Sequence, residues 1–267
     1  MKKKILRWAK LLVLLYCIIG IAWYYGQDRL IFHPSPVDRK AGWSFAQPVK
    51  ELNIPYDATT NINVLQFMAT DRPADSLPKG AVLYFHDSKG NNSVYAGVAT
   101  AFTAKGYQLW MLDYPGFGKS TGQLSEKKLY EQALLFYKLA RSRWQPGQII
   151  IYGNGLGTGI AAQLASVRDC RRLILESPYY SLTSAMQSYL FVYPVKQMLH
   201  FHLPTNEYLP AVTAPITIFH GASCSSGCRL KPLLKNGDEF ITLPVSGHDE
   251  ILRSPMYQQK LDSLLSL

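Results

Sequence analysis

The sequence predicts an α/β fold, a mostly parallel sheet flanked by helices, carried behind an apolar N-terminal segment. Three observations lead there. Short runs of β-branched and aromatic residues alternate with longer helical patterns, the runs are almost continuously apolar, as strands buried on both faces must be, and a glycine-rich turn joins one of them directly to a helix. The 267 residues, 48% of them hydrophobic, suffice for one membrane segment and one domain of ordinary size.

Residues 1–26 are expected to form the membrane anchor, 27–48 a connector and 49–267 the folded domain. Lys2, Lys3, Lys4, Arg7 and Lys10 precede a stretch, residues 11–25, that carries no charge. Fifteen helical residues cover only about 22 Å against a hydrocarbon core of roughly 30 Å. The flanks compensate: Trp8 and the Trp23, Tyr24, Tyr25 cluster suit the two interfaces, and the basic run holds the N-terminus on the cytoplasmic side. The domain is then expected outside the cytoplasm, on the periplasmic or extracellular side. The rival is a cleaved signal peptide, for which Gly20 and Ala22 offer small residues, although Trp23 and two tyrosines suit a cleavage site poorly. Cys17 follows Tyr16 where a lipobox needs a small residue, which argues against its lipidation. Five positives of the formal net charge of +10 belong to this tether. The rest form no basic stripe interleaved with aromatics, which excludes nucleic acid as the expected partner.

The clearest strands are residues 81–86 (AVLYFH), 108–113 (QLWMLD), 149–152 (IIIY), 173–176 (LILE), 215–220 (PITIFH) and 239–243 (EFITL). Residues 51–55 and 63–67 alternate in polarity and suit an antiparallel edge. Ser125 is placed to cap a helix in which Leu129, Ala133, Phe136, Tyr137 and Ala140 recur on one face.

Chemistry is expected at YGNGLGTGIAA, residues 152–162, between a strand and a helix. This segment resembles the G-x-S-x-G nucleophile elbow of the α/β-hydrolases, with Gly153 and Gly157 at the small-residue positions. DYPGFGKSTG (113–122), ESPYYSL (176–182), TIFHG (217–221) and SGH (246–248) follow in matching order. Over most of its length the chain is similar to a group of membrane-anchored bacterial α/β-hydrolases, esterase-like and serine-aminopeptidase-like. The resemblance implies an α/β-hydrolase fold with a small cap, residues 178–214, after the sixth strand, and a catalytic order of serine, acid, histidine.

Three parts of that machinery are altered. Gly155 occupies the nucleophile position and offers no atom to attack with. Cys224 stands at the acid position, leaving the retained base position, His248, without its implied partner. In the oxyanion loop the family's HGN or HGG is replaced by HDS, so that the implied oxyanion positions are Asp87, Ser88 and the elbow residue Leu156. A carboxylate at Asp87 opposes the negative charge that such a hole exists to stabilise. Losing the serine alone lowers turnover about a millionfold in enzymes of this type.

The remaining candidates have plainer readings. Ser88 suits a turn serine, Asn154 helps form the elbow, and Asp249 and Glu250 read as hydrated surface carboxylates. Cys224 and Cys228 form a candidate disulfide in an exported protein. The alternatives are a Cys/His metal site with His248 and His220, although no zinc spacing is matched, or two buried thiols. Cys170 reads as a packing residue. The aromatics of the cap, Tyr179, Tyr180, Tyr189, Phe191 and Tyr193, line a pocket or pack the cap on the sheet. The expected function is that of a membrane-tethered relative without the serine mechanism, binding an acyl, lipid or peptide ligand or a partner protein. An active ester or peptide hydrolase with a relocated nucleophile is the alternative, and a Cys/His metal or redox site the third. No cofactor and no resident metal are implied.

Overall fold

The computed structural model describes residues 1–70, 77–223, 226–245 and 248–266, the side chains of 248 and 249 excepted. Eight strands form the central sheet: β1 (Val49–Pro55), β2 (Asn61–Phe67), β3 (Gly80–Phe85), β4 (Tyr107–Leu112), β5 (Ile149–Asn154), β6 (Arg172–Glu176), β7 (Ile216–Gly221) and β8 (Glu239–Leu243). Their order is β8-β7-β6-β5-β3-β4-β2-β1. β1 and β2 pair antiparallel, β2 runs antiparallel to β4, and the other pairings are parallel. Every strand read from the sequence is present, with ends shifted by at most two residues.

The central strands are near-continuously apolar because both faces are covered. Ala81, Leu83 and Phe85 of β3 join one core with Phe136 and Ala133 of helix α3 (Glu126–Arg141) and Ile160 and Ala161 of helix α4 (Gly157–Val167). Val82 and Tyr84 face the other core, with Phe102 of α2 (Ala99–Thr103) and Tyr257 and Leu261 of α6 (Pro255–Ser266). Alternate residues of one strand thus enter opposite cores, as strand geometry requires. Ser125 caps α3 as expected, its hydroxyl accepting from the Lys128 N–H at 3.3 Å.

The cap contains helix α5 (Leu182–Tyr189), started by Ser181, whose hydroxyl accepts from Ser184 N–H at 3.0 Å. Phe201, Leu203 and Leu209 carry the cap into the core of the α3/α4 face.

The N-terminal helix α1 (Lys2–Ile31) is long and apolar enough to cross a membrane. It continues past residue 26, through the first part of the expected connector, and its last turn belongs to the domain: Ile31 is buried in the main core. Gln27 is fully buried against the cap. Its amide donates to Tyr24 O at 3.0 Å and Met198 O at 2.9 Å, and its carbonyl accepts from His200 N–H at 2.9 Å. Asp28 meets His200 Nδ1 at 3.0 Å. A buried amide satisfied on three sides fixes the helix end against the cap more specifically than apolar packing would. After the helix, His33–Pro34 pairs in parallel with Lys89–Gly90, tying the connector to the loop that follows β3.

Candidate functional site

The strand-turn-helix read from the sequence is formed by β5, Gly155 and α4. Gly155 has φ +53°, a left-handed conformation that glycine adopts without a steric cost. Its N–H donates to Glu176 O at 2.9 Å, which ties the turn to the end of β6. Gly157 allows the close approach of β3: a Cβ there would lie 2.2 Å from Phe85 O.

The loop after β3 brings Asp87 onto this turn. Asp87 Oδ1 accepts the backbone N–H of Leu156 at 2.7 Å. A Cβ built on Gly155 would fall 2.4 Å from both Cγ and Oδ1 of Asp87. The carboxylate therefore fills the space that a serine side chain would need and takes the N–H that an oxyanion hole would present. Asp87 and Leu156, both at positions that the resemblance assigns to the oxyanion site, are in direct contact here beside Gly155. Ser88 is on the same loop and lines the adjacent pocket, its carbonyl accepting from His33 N–H at 2.8 Å.

A buried frame holds Asp87 in place. His86 is fully buried, its ring centroid 4.2 Å from that of Tyr114, and its carbonyl accepts from the Tyr114 hydroxyl at 2.7 Å. His86 Nδ1 lies 2.6 Å from Asp87 O; that carbonyl has only lone pairs to offer, so Nδ1 carries the proton. Nε2 then presents a lone pair toward Asp113 Oδ1, 3.6 Å away. Burial pushes His86 down to about 4 and Asp113 up to about 7, the Asn92 N–H at 2.8 Å working against the latter shift. Both directions describe uncharged side chains in a site closed to water.

At the end of β6, Glu176 is completely buried. Its Oε2 accepts from the Tyr152 hydroxyl at 2.5 Å, and that hydroxyl meets the Tyr257 hydroxyl at 2.7 Å. Burial, with the Glu176 charge adding to it, holds both phenols well above their ordinary range. The sequence reading gave this glutamate no role. Its one signal was a charged residue closing an otherwise apolar strand, LILE. Asn154, the residue before the elbow, is buried and directed at the Tyr84 hydroxyl.

Two pockets lie under the cap, of which the smaller reaches the turn at Leu156. One of about 480 Å³ lies between the end of β6, α5 and the segment after β7, and includes Tyr179, His220 and Arg229. The Arg229 guanidinium stands 3.9 Å from the Tyr180 ring centroid. The other, about 350 Å³, is bounded by Trp23 and Ile31 of α1, Leu156 at the elbow, and Leu182, Met186 and Leu190 of the cap. Tyr179, Met186 and Tyr189 border both. Burial, with the Asp87 charge next, raises Tyr179 to about 12.

Cys224 lies outside the described residues, as do Ser246 and Gly247. His248 begins a short 3-10 turn, His248–Arg253; its side chain is likewise outside the description. Cys228 is disulfide-bonded and so offers no thiolate to a metal. Cys17 and Cys170 are free; Cys17 is exposed, and burial raises the Cys170 thiol to about 12.

Residues 76–213 match the family model described as serine aminopeptidase, S33. An uncharacterised protein of Mycobacterium tuberculosis is 28% identical over 177 residues, 64% of this chain and 63% of its own length. The alpha/beta hydrolase domain-containing protein 17C of Xenopus tropicalis is 29% identical over 181 residues, covering 65% of this chain but 56% of its own. The match thus spans less than two thirds of these relatives. Among solved structures, the Pyrococcus furiosus esterase Pf2001 superposes with TM-score 0.67 at 13% identity, over 88% of this chain and 97% of that one. An alpha-beta hydrolase of Vibrio vulnificus gives 0.65 at 19% identity, over 82% and 80%. At such identities the likeness concerns the fold.

Proposed function

Because the chain belongs to the serine aminopeptidase S33 family of α/β-hydrolases, we propose that it keeps the fold, cap and pockets of a hydrolase while binding a ligand in place of hydrolysing one. The observation that carries this reading is the Asp87 carboxylate on Leu156 N–H, in the space above Gly155. A serine hydrolase needs an oxygen nucleophile at the elbow and empty N–H donors beside it for the developing oxyanion. Here the nucleophile is absent and the Leu156 donor is engaged by a fixed negative group. Hydrolysis through a relocated nucleophile would need the same donor, and Asp87 obstructs that route too.

The ligand we propose is the acyl chain of a lipid. The 350 Å³ pocket has one wall of Trp23, Leu156 and the aliphatic cap residues, which suits an alkyl chain better than a peptide backbone with its hydrogen-bonding groups, and His33, Ser88 and Lys89 on the other, which suit a polar headgroup. A tether through α1 supports the same reading, since it would keep the pocket beside a lipid source.

The test is hydrolysis of short- and medium-chain nitrophenyl esters by the full chain in detergent, beside a His248→Ala control, together with thermal denaturation in the presence of a long-chain fatty acid. We expect turnover equal to the control and a rise in melting temperature with the fatty acid. Turnover reproducibly above the control overturns the non-hydrolytic reading, and an unchanged melting temperature overturns the acyl ligand.

A further inference from the structure

The level at which the cap touches α1 determines where the cap lies relative to lipid. Between Lys10 and Asp28 the helix has no charged residue; those residues cover about 25 Å, close to the hydrocarbon thickness of a bilayer. Tyr16 is well inside this stretch, about 9 Å past Lys10 and about 18 Å short of Asp28. The cap reaches that level. The Tyr16 hydroxyl donates to Val192 O at 3.1 Å, the Tyr193 hydroxyl donates to Tyr16 O at 2.9 Å, and the two rings stack with centroids 4.4 Å apart. Gly20 admits the Tyr193 ring, whose Cε1 would stand 2.9 Å from a Cβ at that position.

Around this contact the cap exposes large apolar side chains: Tyr189 and Phe191 are each 78% exposed and Val192 56%. Residues 189–195 carry no charge. Much of the backbone here is satisfied internally, Leu190 N–H on Met186 O, Tyr193 N–H on Leu190 O and Val195 N–H on Tyr193 O. Outward aromatics beside a membrane helix, on backbone that is partly paired within its own segment, suit a lipid surface.

We propose that the tip of the cap, residues 189–194, is inserted in the bilayer beside α1, making the cap a lipid-docking surface. The proposal rests on α1 spanning the membrane. It also gives the 350 Å³ pocket an entrance at the lipid: Tyr189 and Leu190 belong both to the tip and to the pocket wall.

The experiment uses the full chain in vesicles of phosphatidylcholine and phosphatidylglycerol, in a Cys17→Ser background. An environment-sensitive fluorophore is attached at Phe191→Cys, at Ile19→Cys in the helix, and at Val167→Cys, exposed at the C-terminal end of α4. Insertion predicts that the probe on Phe191→Cys is quenched by doxyl-labelled lipid like that on Ile19→Cys, and is several-fold less quenched by aqueous iodide than that on Val167→Cys. A helix probe in lipid with a cap probe open to iodide overturns the docking while leaving the tether intact. A cap probe shielded from iodide yet untouched by doxyl lipid assigns the surface to protein, a second copy or another chain, and also overturns it. If the helix probe itself is open to iodide, the tether fails and the docking with it.

Discussion

Asp87 Oδ1 accepts the Leu156 N–H at 2.7 Å, so a carboxylate from the loop after β3 lies on the first turn of α4 at the elbow. The contact combines a charge-assisted hydrogen bond with a negative charge at a helix N-terminus, both favourable. Asp87→Ala should lower stability by about 1–2 kcal/mol, and Asp87→Asn, which retains the acceptor without the charge, by less. Denaturant titration of the full chain in detergent checks the order; equal losses would assign the effect to the loop backbone.

Restoring the serine alone is expected to fail. In Gly155→Ser the new Cβ would meet Asp87 Cγ at 2.4 Å, on backbone at φ +53°. Strain and overpacking together should cost about 1–3 kcal/mol, with no gain in nitrophenyl ester hydrolysis over His248→Ala. Adding Asp87→Gly removes the clash, so the double variant should be more stable than the sum of the two single losses predicts. The coupling, of order 1 kcal/mol or more, is read from a double-mutant cycle. Additive losses would mean that the loop simply moves aside.

The sheet was legible because its strands are buried on both faces and leave near-continuous apolar runs, and the elbow because Gly153, Gly155 and Gly157 mark one turn between strand and helix. The nearness of Asp87 to the elbow was legible only through the resemblance to known hydrolases; no local pattern in HDSKGNN places its carboxylate on Leu156. The docking of α1 on the cap was not legible at all. It depends on Gln27 meeting Met198 and His200, more than 170 residues away, and a lone glutamine after an apolar run reads as the end of a span.

That glutamine makes a third prediction. Gln27→Leu preserves the helix and roughly the volume but leaves His200 N–H and Met198 O without the partners they have now. The loss should be about 2–4 kcal/mol for two buried backbone groups, concentrated between anchor and cap. Limited proteolysis should then cut first within residues 190–200. Cleavage no faster than in the natural chain would mean that water replaces the amide.

The pair behind the oxyanion loop sets a pH dependence that one substitution should expose. Asp113, raised from 3.8 to about 7, holds a proton in the fold that the unfolded chain releases, so its stability contribution is lost as pH rises from about 4 through 7. His86, lowered from 6.5 to about 4, stays neutral in the fold where the unfolded chain takes up a proton, so its contribution is lost as pH falls from 6.5 toward 4. Between pH 4 and 6.5 the two slopes oppose and nearly cancel. Asp113→Asn keeps an acceptor for Asn92 N–H at the Oδ1 position but removes the titrating acid. Its stability should fall on acidification from pH 6.5 to 4.5, by up to about 1.4 kcal/mol per pH unit, relative to the flatter natural chain. Guanidinium unfolding of both proteins at the two pH values measures the difference, and parallel profiles would mean that Asp113 takes up no proton in the fold over this range and leaves the titration of His86 unchanged.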